Sequence, residues 1–101
     1  MPRRTPEGLI KDEIKDGLTD AGAWWCCPFM NGFGRKGIPD IICCYRGQFL
    51  AIEVKVPGGE PTAWQHRELN GIRAAYGEAM VATSWREVYY KLLEIDKELD
   101  A

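Results

Sequence analysis

The alternation of apolar and polar residues divides the chain into seven elements. Ile10, Ile14, Leu18 and Ala21 recur at helical spacing, so residues 6–21 are predicted to form an amphipathic helix. Thr5 can cap it, Pro6 suits its first turn and Gly22 ends it. Residues 23–29 (AWWCCPF) read as a first strand. Residues 38–45 (IPDIICCY) and 49–56 (FLAIEVKV) read as two more, rich in β-branched and aromatic side chains and flanking an Arg46-Gly47 turn. After a loop at 57–62 (PGGEPT), a second helix is predicted over 61–76, broken by Gly77, and a further strand over 78–83. Ser84 caps a last helix with Glu87 as its capping-box partner, and Val88, Leu92 and Ile95 line one face of it.

The order α-β-β-β-α-β-α predicts a three-stranded antiparallel meander followed by a helical crossover to a fourth strand. The fold class is therefore α/β, a mixed four-stranded sheet flanked by helices. At 101 residues the chain accommodates one domain, 1–101, with a core small enough that a partner subunit would help it. No repeat, linker or low-complexity segment interrupts it. No apolar run reaches the ~18 residues of a membrane span. The opening MPRRTPEG lacks the apolar stretch of a leader, so a cytoplasmic location is expected.

Composition changes this picture little. Hydrophobic content of 46% and charged content of 28% are ordinary for a globular chain. The net charge of −2 argues against a simple nucleic-acid coating protein, but not against an enzyme that gathers carboxylates around metal ions. The cysteines form two adjacent pairs, Cys26-Cys27 and Cys43-Cys44. Neighbours on a strand point to opposite faces, so neither pair suits a disulfide or a zinc chelate. Reduced, half-buried strand residues are expected.

Candidate chemistry lies in the central hairpin. Period-two alternation places Ala51, Glu53 and Lys55 on one face of the third strand and Leu50, Ile52, Val54 and Val56 on the other. If Arg46-Gly47 is a two-residue turn, Tyr45 pairs with Gln48 and Asp40 falls opposite Glu53. Facing residues of an antiparallel pair have Cβ atoms roughly 4.5–5.5 Å apart. Two like charges so placed repel, and a hard divalent cation such as Mg²⁺ removes the conflict. Lys55 can then orient or deprotonate an attacking water, or neutralise charge on phosphoryl oxygens. A metal that polarises phosphate and acidifies water supplies what a phosphodiester needs for hydrolysis. Glu-x-Lys on a strand is also a common surface ion pair; the Pro39-Asp40 step across the hairpin is what makes it stand out.

The series Gly37-Ile38-Pro39-Asp40, Glu53-Val54-Lys55 and Gln65 resembles the PD-(D/E)xK nuclease superfamily, and more narrowly the stand-alone phage-type VRR-NUC domain, which is similar to Holliday junction resolvases. The resemblance runs from Thr5-Pro6-Glu7 through the last helix and implies a restriction-endonuclease-like core. It implies that Asp40, Glu53 and the Val54 backbone carbonyl bind Mg²⁺ (Mn²⁺ substituting), that Lys55 assists the nucleophile and that Gln65 positions water or phosphate. It also implies a first-helix glutamate near the metal. Glu7 shares the face of Ile10, Ile14 and Leu18 whereas Glu13 points away, so Glu7 is the candidate. The implied activity is metal-dependent DNA cleavage, on branched DNA such as a four-way junction, by a homodimer. The rivals are a monomeric flap or single-strand-specific nuclease and a non-catalytic nucleic-acid-binding or protein-binding module on the same fold. Arg35 and Lys36, in the glycine-rich loop before Asp40, and Arg3 and Arg4 are candidate DNA contacts, which Lys11 and Lys15 would extend. His66, Trp24, Trp25, Trp85, Tyr89 and Tyr90 read as structural or interface residues.

Overall fold

The structure is a computed structural model that describes residues 4–29 and 34–101. Arg3, a candidate DNA contact above, lies outside the described residues.

The predicted order of elements is observed: α1 (Pro6–Asp20), β1 (Trp24–Cys26), β2 (Ile41–Tyr45), β3 (Gln48–Val54), α2 (Ala63–Ala74), β4 (Glu78–Ala82) and α3 (Trp85–Leu99). The sheet order is β1-β2-β3-β4, with antiparallel pairing along the meander and parallel pairing between β3 and β4, which α2 connects. All strands are shorter than predicted. β1 stops at Cys26, just ahead of Pro28, which has no N–H to give a ladder. β3 ends at Val54, so Val56 leaves the apolar face assigned to it and is exposed.

The helix caps follow local chemistry. The Thr5 hydroxyl accepts from the Gly8 N–H, and Gly22 leaves the helix with φ of 82°. At α3 the expected capping box is altered. The Ser84 hydroxyl accepts from the Glu87 N–H, but the Glu87 carboxylate accepts from the backbone and hydroxyl of Thr83, one residue before the cap. The complete capping box sits instead at α2, between Thr62 and Gln65.

Both faces of the sheet are covered. Leu50, Ile52 and Val54 pack with Ile14 and Leu18 of α1 and with Val88, Leu92 and Ile95 of α3. On the other face Ala51 packs with Leu69 of α2 and Ala79 of β4. Trp25 and Trp85 are half-buried against the larger cluster, whereas Trp24, Tyr89 and Tyr90 are exposed and take no part in the core. All four cysteines are free; Cys43 is buried, and loss of water around it, aided by Cys44, pushes its thiol up to about 12.

Candidate active site

The hairpin register is the one the two-residue turn requires. Arg46 and Gly47 both have positive φ, 51° and 83°, as a type I′ turn demands, and Tyr45 pairs with Gln48. The ladder continues to Ile41 opposite Ile52, so the next step brings Asp40 to Glu53. Asp40 is held there by its own backbone contact: Oδ2 accepts from the Val54 N–H at 2.8 Å.

Glu53 is only 2% exposed and lies on the α2 face beside Ala51. Its Oε2 accepts from Gln65 Nε2 at 3.0 Å and lies 3.7 Å from Lys55 Nζ, while its Oε1 is buried without a hydrogen-bond partner. Burial raises its pKa to about 8, helped by a hydrogen bond and charge repulsion from Asp40 and, more weakly, by Glu7; Lys55 opposes the rise. The cluster thus presents two opposed carboxyl groups that cannot comfortably both ionise in the bare protein.

Gln65 is held from both ends. Its N–H donates to Thr62 Oγ1 and its Oε1 accepts from the Thr62 N–H at 2.8 Å, leaving Nε2 to reach Glu53. A Thr-x-x-Gln capping signature at 62–65 is the sequence signal for this arrangement. Lys55 is anchored through its N–H to the Ala82 carbonyl, which carries the β3–β4 pairing one residue past the strand.

From α1, Glu7 is half-buried and acts on Glu53 through its charge, whereas Glu13 is exposed. Lys11, one turn on from Glu7, places Nζ 3.3 Å from Asp40 Oδ1. The sequence puts Lys11 in a basic track rather than on the catalytic cluster; its i,i+4 spacing from Glu7 is the unused signal for the observed place.

Among the described residues the expected DNA contacts divide between α1 and the start of α2. Arg4 is committed to Asp12 at 2.6 Å. Lys15 lies near Asp12 and over Trp25. Arg35 bonds Glu68 at 2.9 Å and Lys36 lies over the Trp64 ring. The loop bearing them closes onto α2 at Gly37, where φ is 84° and a Cβ would stand 2.4 Å from the Trp64 carbonyl carbon. Only glycine fits that approach.

The donor set suits a hard divalent cation. Asp40 and Glu53 offer carboxylate oxygens, one of them buried and unpartnered, next to the Val54 peptide. Among the described residues no three His, Cys, Asp or Glu side chains converge as a metal cage. Two carboxylates with water completing the shell is a mode typical of Mg²⁺.

The fold has a counterpart among solved structures. One described as a VRR_NUC domain superposes with a TM-score of 0.75 at 28% identity, covering 89% of this chain and 96% of that one. The chain folds as a VRR-NUC domain. No protein-family model and no curated protein sequence matches it. The likeness covers 89% of the chain, so the VRR-NUC fold accounts for most of it.

Proposed function

We propose that this VRR-NUC domain is a metal-dependent DNA nuclease whose site is Asp40, Glu53, Lys55 and Gln65, supported from α1 by Glu7 and Lys11. The fold likeness supports a nuclease of the restriction-endonuclease-like type. The observation that carries the chemistry is the buried, unpartnered Oε1 of Glu53 facing a second carboxyl, a local charge conflict that packing alone has no reason to keep.

A Mg²⁺ ion held by Asp40, Glu53 and the Val54 carbonyl, with Mn²⁺ able to replace it, would supply Lewis-acid polarisation of the phosphate and a more acidic water. The protein's own groups do the rest. Lys55 holds its ammonium beside Glu53, where it can orient the water or donate to a phosphoryl oxygen as charge builds. Gln65 fixes the Glu53 carboxyl through an amide that the helix cap immobilises. Lys11 neutralises Asp40 while no other cation does, and is free to turn toward phosphate when one arrives.

The reading extends to branched DNA. A four-way junction needs two cuts, and a two-fold pair of chains supplies two sites. The exposed apolar side chains of Trp24 and Phe49 are compatible with such pairing. A binding module without catalysis would have no use for the Asp-Glu-Lys set.

The test is cleavage of labelled four-way junction, flap, single-stranded and duplex DNA by the purified protein, with and without Mg²⁺, beside Lys55→Ala. Junction cutting that needs Mg²⁺ and is lost in the variant is expected. Equal cutting by Lys55→Ala would overturn the site. Sedimentation distinguishes a dimer from a monomeric flap nuclease.

A further inference from the structure

We infer that Arg35, Lys36, Trp64 and Arg67 form a phosphate-holding platform beside the catalytic cluster, which grips the DNA backbone next to the bond being cut. The inference rests on the nuclease reading and adds a contact surface to it.

Two separate segments build the platform. Arg35 and Lys36 come from the loop before β2, and Trp64 and Arg67 from the first turns of α2. The glycine contact at Gly37 locks the two segments together. Lys36 Nζ then lies 5.5 Å and the Arg67 guanidinium 4.6 Å from the centre of the Trp64 ring. Cations over an indole face are held by its quadrupole without losing their charge.

The charge balance separates the platform from an ordinary ion-pair network. Arg35 Nη2 at 2.9 Å and Arg67 Nη2 at 3.4 Å share one oxygen, Oε2 of Glu68. One carboxylate thus answers two guanidiniums, and with Lys36 the group carries three positive charges to one negative. The surplus sits on a chain whose net charge is −2. Burial is just as uneven: the Glu68 side chain is 9% exposed, those of Arg35 and Arg67 are 71% and 55%. The acid lies underneath as a fixture and the guanidiniums are turned outward, with donors left over. A planar guanidinium with free donors matches phosphate oxygens.

Position gives the platform its purpose. Trp64 precedes Gln65, whose amide bonds Glu53, and Gly37 against the Trp64 peptide lies three residues before Asp40, so a strand with its scissile phosphate at Glu53 would have the platform within reach. From them a groove of about 410 Å³, lined by Arg35, Arg67, Glu68, Gly71, Ile72 and Ala75, continues along α2. These are backbone contacts, so they are independent of base sequence.

The experiment measures affinity for a fluorescein-labelled four-way junction and a labelled duplex by anisotropy in EDTA, across a range of NaCl concentrations. Loss of one phosphate contact lowers the slope of log K against log[NaCl] by about one. Arg35→Gln and Arg67→Gln should each show that loss, and the double variant about twice it, equally for different base sequences. Arg67→Lys should retain the slope, which separates lost charge from a disturbed fold. Arg46→Gln, at the other end of the sheet, should match the wild type. Salt plots of the double variant that run parallel to those of the wild type would overturn the platform, as would a wild type that binds neither DNA. The nuclease reading fails by a different result, cleavage undiminished in Lys55→Ala, so the two failures are told apart.

Discussion

The two ends of β3 treat charge in opposite ways. At the turn end, Asp96 of α3 accepts from the Tyr45 hydroxyl at 2.9 Å and from Arg46 Nη1 at 2.8 Å, and Asp100 takes the second Arg46 nitrogen at 2.9 Å. Roughly 20 Å along the strand, at ~3.3 Å per residue, Asp40 and Glu53 face one another with one oxygen buried and unpartnered. Arg46 and Tyr45 hold Asp96 below the usual carboxylate range, while burial and Asp40 hold Glu53 well above it. Charges that are matched and wet serve the fold. Charges that are buried and mismatched cost stability in the bare protein, and the cost makes sense where a ligand relieves it.

The largest effect that would break this contrast comes from Glu53→Gln. The amide keeps the shape, can accept from Gln65 and can donate toward Asp40, so the charge conflict disappears. Cleavage of junction DNA in Mg²⁺ should fall by about 10²–10³, the usual scale for removing one electrostatic group from a site. The melting temperature without metal should hold or rise. A variant that cuts normally, or that melts as early as a core truncation such as Ile52→Ala, would show that Glu53 serves the fold after all.

Next in size is Gly37→Ala. An alanine there meets the Trp64 peptide at a positive φ, so the loop must lift from α2. The strained backbone costs about 1–3 kcal/mol. The shift passes to Gln65 and hence to Glu53, so denaturant melts should show lower stability and assays a reduced kcat. Retained activity at reduced stability would mean that the loop closure is structural and does not position the site.

These cases show why part of the site was legible in the sequence and part was not. The Asp40–Glu53 pairing followed from the Arg46-Gly47 turn, because a two-residue loop leaves one register and period two does the rest. Element order followed from hydrophobic periodicity in the same way. Lys11 and Glu68 were not assigned their roles, since an ion pair between a helix and a distant loop depends on how layers pack. The strand ends were overdrawn for a related reason: Pro28 and Val56 have strand-like neighbours, but no partner strand reaches them. Gln65 was found through resemblance, although its capping signature with Thr62 was available from local chemistry.

The pH dependence of stability should have opposite signs at the two ends. Glu53 binds its proton more tightly folded than unfolded, so its contribution is lost as pH rises from the ordinary carboxylate range through about 8. Asp96 binds its proton less tightly folded, so its contribution is present above the ordinary aspartate range and lost as pH falls through its lowered folded value. Melting curves of the metal-free protein should therefore decline from the ordinary carboxylate range up to about pH 8, and Glu53→Gln should flatten that decline. Asp96→Asn should flatten the acid side alone. Mg²⁺ should raise the melting temperature more at pH 8 than at pH 6, because it competes with the Glu53 proton. A decline of equal size over that window in Glu53→Gln would assign it to another group.

The smallest effect belongs to Arg46→Gln. Arg46 holds Asp96 and Asp100 from a position with φ of 51°, and its side chain is 40% exposed, so water and salt already weaken both pairs. The Tyr45 hydroxyl keeps its bond to Asp96 without it. Removing the guanidinium should lower the melting temperature only slightly, less at high salt than at low, and should leave cleavage unchanged. Arg46→Gly, which also relieves the positive φ, should recover part of even that loss. A large fall in cleavage with either variant would mean that the turn end communicates with the carboxylates along β3, and the two ends could no longer be treated as separate solutions to placing charge on one strand.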